Sequence, residues 1–145
     1  MSNPTFFTGN LTKEAGAPVT PFRFVSLKDG RVQHADGSAV PYGAVTAAAA
    51  PKEDRRDNDL SYGVPHLVRV HASQCVVEIE TADEFKVGDT VYAVKDGKAA
   101  KSGKAVAGLA ERETRGGRVR VHLFHPAAAA TASASASAPA GSATE

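Results

Sequence analysis

The clearest pattern along the chain is a strict alternation of apolar and polar residues over short stretches. In Arg118–Leu123, valine and leucine alternate with arginine and histidine. Cys75, Val77 and Ile79 alternate with Val76 and two glutamates in the same way. Successive side chains of a β-strand point to opposite faces, so each stretch predicts a strand with one buried face and one solvent-facing face.

Shorter apolar stretches extend this prediction to the rest of the chain. They predict an early strand around Phe22–Leu27 and a later strand at Val91–Val94. Four dipeptides have the composition of two-residue hairpin turns, because their residues tolerate positive φ. These turns are Asp29–Gly30, Asp36–Gly37, Asp96–Gly97 and Gly116–Gly117. Short helical turns are candidates only at Ala44–Ala50 and Lys104–Glu113, where glycine and valine disfavour them.

Composition indicates where the folded domain ends. Of the 27 alanines, ten fall within residues 127–145, a stretch of almost pure Ala, Ser and Thr. Elsewhere valine dominates, with 16 residues against 6 Leu and 1 Ile, and β-branched side chains suit strands. We therefore predict a mostly β fold: a single small β-barrel or β-sandwich, β-tulip-like, over residues 21–126, with a charged loop at 51–65. Residues 1–20 are expected to form an extended arm, and 127–145 a disordered, flexible tail.

A weak internal repeat adds detail to the β prediction. The first copy is Lys28-Asp29-Gly30-Arg31, Gly37, Ala39-Val40 and Gly43; the second is Lys95-Asp96-Gly97-Lys98, Gly103, Ala105-Val106 and Gly108. Each copy predicts a hairpin, a further turn, and a strand of small residues whose glycine lets another backbone approach. Two copies would build a pseudo-symmetric barrel or sandwich. Chance similarity in a chain rich in Gly, Ala and Val is the alternative.

Several functional classes are excluded by simple features. No apolar run approaches the roughly 20 residues that span a bilayer, and the N-terminus lacks the pattern of a signal peptide. Cys75 is the only cysteine, which excludes an intrachain disulfide and a four-cysteine metal site. The net charge is +1, from 17 basic and 16 acidic residues, so the chain has no overall basic excess for nucleic acid.

The titratable residues do not predict a catalytic or metal site. His66 and His71 are five residues apart, so on a strand they would lie on opposite faces, and His122 and His125 also differ in parity. His71 and Cys75 could form a base and a nucleophile. A lone cysteine on an apolar strand face is, however, typically a small core residue. We expect no catalytic residue, no metal ligand and no cofactor.

Charged strand faces are the best candidates for contact with a partner. Arg118 and Arg120 project from one face of their predicted strand, within a locally basic second half of the chain. They could contact nucleic acid or an acidic protein surface. Glu78 and Glu80 share a strand face and predict a solvent-facing acidic edge. The candidate contact residues are Phe6, Phe7, Arg118 and Arg120.

A series of motifs also occurs in a fixed order in the second half of the chain. The segments are Phe85–Ala93 (FKVGDTVYA), Asp96–Lys98, Gly103–Ala110 (GKAVAGLA) and Gly117–Phe124. Asp29–Val32 and Gly43–Val45 fit the first half of the same pattern. A "GD-x-V-Y" strand entry, a "DG" hairpin, a "G-x-A-[VL]-x-G-x-A" strand and a closing alternating strand resemble the capsid-cement, or head-decoration, proteins of tailed bacteriophages. The resemblance covers roughly residues 22 to 125.

This resemblance implies a structural protein that adds to the outer surface of the assembled phage head. Such proteins commonly sit as homotrimers and clamp neighbouring subunits of the major capsid protein lattice, with no cofactor, catalysis or membrane. The charged loop at 51–65 and the Ala/Ser tail depart from the family's pattern. A small β-barrel binding module for nucleic acid or another protein is the alternative, although the scarcity of aromatic residues disfavours nucleic acid.

Overall fold

The computed structural model describes residues 10–54, 64–72 and 74–137, which form ten β-strands and one α-helix. The strands are β1 (Asn10–Glu14), β2 (Arg23–Lys28), β3 (Arg31–His34), β4 (Gly43–Val45), β5 (Leu67–His71), β6 (Val76–Glu80), β7 (Thr90–Ala93), β8 (Ala99–Ala100), β9 (Ala105–Ala110) and β10 (Arg118–Leu123). The helix is α1 (Pro126–Ser137), and single 3₁₀ turns lie at Lys52–Asp54 and Lys95–Gly97. The mostly β prediction is confirmed.

The ten strands form two five-stranded antiparallel sheets with the same topology. The first sheet has the order β1-β5-β4-β2-β3, and the second has the order β6-β10-β9-β7-β8. Adding five to each strand number converts one order into the other. We call residues 10–71 the first repeat and residues 76–123 the second repeat. Neither sheet closes into a barrel, so the barrel alternative is not what this chain adopts.

The edge strands of each sheet meet in the same way. A parallel bridge joins Ala15, after β1, to Val32 of β3, and the equivalent parallel bridge joins Thr81, after β6, to Ala99 of β8. Each sheet therefore curls around its own buried side chains. The predicted repeat corresponds to a duplicated supersecondary unit, which extends well beyond the short matching motifs.

The repeated glycines lie at equivalent positions, and both permit a close backbone approach. Gly43 of β4 lies opposite Val25, and Gly108 of β9 lies opposite Val91. A Cβ added to Gly43 would lie 2.5 Å from the carbonyl oxygen of His71. A Cβ added to Gly108 would lie 2.0 Å from that of His122. As predicted, these small residues let the neighbouring strand approach.

Two apolar clusters form the core. The cluster inside the first sheet consists of Ala15, Val19, Val25, Val32, Val45, Ala49, Val68 and Val70. The larger cluster contains the inward residues of the second sheet, among them Val77, Ile79, Phe85, Val91, Val119, Val121 and Leu123. Phe24, Ala35 and Ala44 of the first repeat also belong to that larger cluster. The part of the first sheet around Phe24 and Ala44 is thus buried on both faces, because its outer face packs against the second repeat there.

The turn chemistry is largely as predicted. Asp29–Gly30 joins β2 to β3, and Asp96–Gly97 lies between β7 and β8, all four residues having positive φ. Gly116–Gly117 is closed by a bridge between Arg115 and Arg118. Asp36–Gly37 is a turn but not a hairpin, because β3 and β4 do not pair with each other. The possible helical turns at Ala44–Ala50 and Lys104–Glu113 are replaced by strands β4 and β9.

The structure differs from the sequence expectation at residues 127–137, which lie in a helix where a flexible tail is predicted. The His125 ring accepts a hydrogen bond from the Ala127 N–H at 3.2 Å, and Pro126 occupies the first turn, where its missing N–H costs nothing. Ala129 is 1% exposed, and the Ser133 hydroxyl accepts the Val106 N–H of β9 at 2.8 Å. An isolated alanine helix is marginal in water, so this packing against β9 stabilises it.

The predicted arm and loop are described only in part. Within the arm, β1 is an edge strand that pairs with β5, and Val19 pairs with Ala49. Phe6 and Phe7 lie outside the described residues. Most of the charged loop at 51–65 also does, although Arg31 bridges Glu53 at its start to Glu14 of β1.

We expect Gly108→Ala to destabilise the protein by about 2–4 kcal/mol, because the added methyl overlaps the backbone of β10 and forces β9 and β10 apart. Urea unfolding measures the change. Gly30→Ala is the matched control: among the described residues beyond its chain neighbours, a Cβ there meets no atom within 4 Å, so only the positive φ is strained, at about 1 kcal/mol. Equal losses for the two variants would contradict the close approach.

Candidate interaction surface

The predicted contact residues Arg118 and Arg120 lie on the solvent-facing side of the second sheet. Strand register places Arg118 opposite Glu80 and Arg120 opposite Glu78 across the β10–β6 pair. Further along β10, His122 lies opposite Val76 of β6 on one side and opposite Leu109 of β9 on the other. We call this side of β6, β10, β9 and β7 the outer face of the second sheet.

The basic and acidic residues that the sequence presents separately form one network on this face. The Arg120 Nε donates to Glu78 Oε1 at 3.3 Å, and the Arg112 guanidinium lies 3.6 Å from the same oxygen. Opposite charges across a strand pair contribute roughly 0.2–1 kcal/mol each. Glu78 thus pairs with two of the arginines near this face.

Arg118 is engaged by an aromatic ring. Its guanidinium lies 3.7 Å from the centre of the Phe22 ring, a cation–π contact between the last strand and the segment before β2. The Phe22 carbonyl also accepts the Glu80 N–H at 2.9 Å. Phe22 therefore joins the two repeats at the edge of the outer face.

Arg23 and Glu80 form a short ion pair between the two repeats. The Arg23 guanidinium donates to Glu80 Oε2 at 2.7 Å and to the carbonyl of Asp96 at 2.9 Å, and Lys98 lies 3.6 Å from Glu80 Oε1. Burial raises the pKa of Glu80, but the hydrogen bond and charge of Arg23 and the charge of Lys98 together lower it below its ordinary value. The Arg23 side chain is only 14% exposed, which favours a stable geometry.

The other end of the outer face is apolar. Val76 is 53% exposed and Leu109 is 36% exposed, and the His122 ring lies between them in the row. In the first repeat, the residue equivalent to Leu109 is Ala44, which is buried. The outer face of the second sheet therefore combines a neutralised charged end with an accessible apolar end.

The histidines and the cysteine occupy structural positions. The His71 ring contacts Asn10 Oδ1 at 2.9 Å and Thr46 Oγ1 at 3.3 Å, and burial followed by the charge of Arg69 lowers its pKa. Cys75 packs against the larger core cluster, and burial raises the pKa of its thiol, which opposes thiolate formation. Within the described ranges, no three His, Cys, Asp or Glu side chains lie close enough to hold a metal ion.

Sequence reasoning missed the residues that connect the two repeats. Arg23 and Phe22 lie 57 and 96 positions from the side chains with which they interact. No local pattern signals such pairs. The sequence did carry a signal for the pairing within the second sheet, because Glu78/Glu80 and Arg118/Arg120 have the same two-residue spacing and opposite charge.

Among the described residues, no helix is both long enough and apolar enough to cross a membrane.

We expect the Arg23–Glu80 pair to make stability depend on pH. Because the pKa of Glu80 is depressed on folding, its stabilisation is present above the ordinary value of 4.5 and is lost as the pH falls through the lower folded value. Glu80→Gln should therefore lower stability by up to about 1 kcal/mol at pH 7, with the difference from wild type shrinking towards pH 3. Urea unfolding across this range measures it. Glu113→Gln, at an exposed glutamate, is the control, and a Glu80→Gln effect that does not vary with pH would contradict the account.

The fold is similar to that of a solved phage structure. No protein-family model matches the sequence, and no curated protein matches it. The structure of the head fiber gp8.5 N base of bacteriophage phi29 matches with a TM-score of 0.57 and 20% sequence identity. The match covers 79% of this chain and 92% of that chain. At this identity the likeness shows a shared fold.

Proposed function

We propose that this chain is a structural protein of a tailed-phage virion. It binds as a homotrimer to the outer surface of the assembled head and stabilises the major capsid protein lattice by bridging neighbouring subunits. It needs no cofactor, and it carries out no catalysis.

The observation that carries this proposal is the agreement of two different kinds of similarity. The order of motifs over roughly residues 22–125 resembles head-decoration proteins, and the fold of most of the chain is similar to that of a phage head fiber base. The motif order depends on local residues, whereas the fold likeness depends on strand topology. Both lead to proteins attached to phage heads.

The chemistry of the outer face supports a protein partner. The face has paired charges at one end and the accessible side chains of Val76 and Leu109 at the other. Protein interfaces combine apolar centres with polar rims. A capsid offers the same site many times, so weak identical contacts add through multivalency.

The same face disfavours the nucleic-acid alternative. A phosphate backbone is bound by guanidinium and ammonium groups that are available to it. Here Arg118 lies over Phe22, and Arg120 pairs with Glu78. Glu78 and Glu80 of β6 thus pair with Arg112, Arg120 and Lys98 of the locally basic second half.

Purified protein should bind expanded phage heads at near-stoichiometric copy number and raise their resistance to heat or low salt. Co-sedimentation and thermal release of DNA from the heads measure these effects. Absence of binding to heads would refute the proposal. Salt-sensitive binding of DNA or RNA by the protein, without binding to heads, would favour the alternative instead.

Phe6 and Phe7 are proposed as anchors on the capsid surface. Buried aromatic side chains carry much of the energy of protein interfaces, so Phe6→Ala with Phe7→Ala should weaken head binding roughly tenfold or more. Urea unfolding of both double variants checks that the fold is kept. Thr5→Ala with Thr8→Ala is a matched control in the same segment. Equal head binding by both double variants would exclude the anchoring role.

A further inference from the structure

The two repeats meet through a contact that is not symmetric. The Asp96–Gly97 turn of the second repeat lies against β2 of the first. Gly97 N–H donates to the Ala35 carbonyl at 2.8 Å, and Arg23 donates to the Asp96 carbonyl at 2.9 Å. A Cβ on Gly97 would lie 2.2 Å from the Phe24 carbonyl oxygen, so only glycine fits the contact.

The equivalent turn of the first repeat makes no such contact. It is Asp29–Gly30, which has the same positive φ values but is exposed. Within the described part of the chain, no atom lies within 4 Å of a Cβ added to Gly30. An open groove of about 390 Å³ lies beside the turn, lined by Lys28, Arg31 and neighbouring residues.

The strand equivalent to β2 is uncovered in the second repeat. Phe24 pairs with Ala44 in the first sheet, and Thr90 pairs with Leu109 at the same position of the second sheet. Phe24 and Ala44 are fully buried, whereas Thr90 is exposed and Leu109 is 36% exposed. Thr90 lines an open groove of about 250 Å³ with Asp89, Tyr92 and Lys101.

We propose that these two unused surfaces bind each other between copies of this chain: the Asp29–Gly30 turn of one copy docks into the groove at Asp89, Thr90 and Tyr92 of the next. The contact within the chain involves the turn of the second repeat and the strand of the first repeat. The turn of the first repeat and the strand of the second repeat remain exposed. Because the two surfaces differ, the association is head-to-tail, and such contacts close into a ring when the rotation permits.

Charge supports this occupant. Each surface carries both signs, with Lys28, Asp29 and Arg31 at the turn and Asp89 with Lys101 at 3.7 Å in the groove, so docking brings opposite charges together when Lys28 meets Asp89 and Asp29 meets Lys101. The exposed Leu109 side chain extends the groove with apolar area that docking would bury. The inference deepens the proposed function, on which it rests, by naming the contact that holds the homotrimer together.

Two substitutions test the two sides of the contact separately. Leu109→Arg places a charge beside the groove, and Lys28→Glu places a like charge against Asp89. Each should raise the dissociation constant of self-association at least tenfold, measured by sedimentation equilibrium of the full chain. Leu67→Arg is the matched control, because Leu67 is a 49% exposed strand leucine of the first repeat outside the proposed contact, and it should associate as wild type does.

Mixing the two variants tests the head-to-tail geometry. Each variant alone should be monomeric, since each lacks one of its two surfaces. A 1:1 mixture still holds one intact turn and one intact groove, so it should form dimers and nothing larger. Circular dichroism checks that each variant is folded. If Leu109→Arg does not fold, Thr90→Arg serves as a second groove variant.

The outcomes separate this inference from the proposed function. Wild-type protein that stays monomeric at high micromolar concentration, groove variants that associate normally, or a mixture that stays monomeric would each overturn the inference. Head binding by a protein that stays monomeric leaves the proposed function standing. Self-association without head binding would support the contact and refute the capsid role.

Discussion

The structure depends on the close approach of one glycine turn to one strand. The Asp96–Gly97 turn lies against the backbone of Phe24, and Gly97 donates to the Ala35 carbonyl at 2.8 Å. Without this approach the outer face of the first sheet, with Phe24 and Ala44, would expose its apolar side chains to water. The two sheets thus share the larger apolar cluster because a residue without a side chain occupies the point where they touch.

The sequence was informative wherever a pattern was local. Period-two alternation located β6 and β10, and the repeated Asp-Gly pairs located the turns of both repeats. The small-residue strands around Gly43 and Gly108 were correctly expected to let another backbone approach. Such features depend on neighbouring residues or on one opposite strand, so the chain itself records them.

The features that the sequence did not predict depend on residues far away along the chain. β1 has no clean alternation, and it is a strand because β5 pairs with it. The alanine-rich segment from Pro126 is helical because β9 offers a surface and an N–H group that Ser133 accepts. Arg118 and Arg120 were expected to face outward, and they do, but Phe22 and Glu78 already contact them. The face is therefore better suited to a protein partner than to a polyanion.

Two equivalent repeats are joined unsymmetrically, and we infer that a contact between copies follows from it. Cross-linking mass spectrometry tests it with an amine-reactive reagent and a mixture of ordinary and ¹⁵N-labelled chains, since Lys28 flanks the exposed turn and Lys101 lines the groove. We expect Lys28–Lys101 cross-links that join labelled to unlabelled chains. Cross-links between these lysines that never mix the two labels, or their absence from an associated protein, would contradict it.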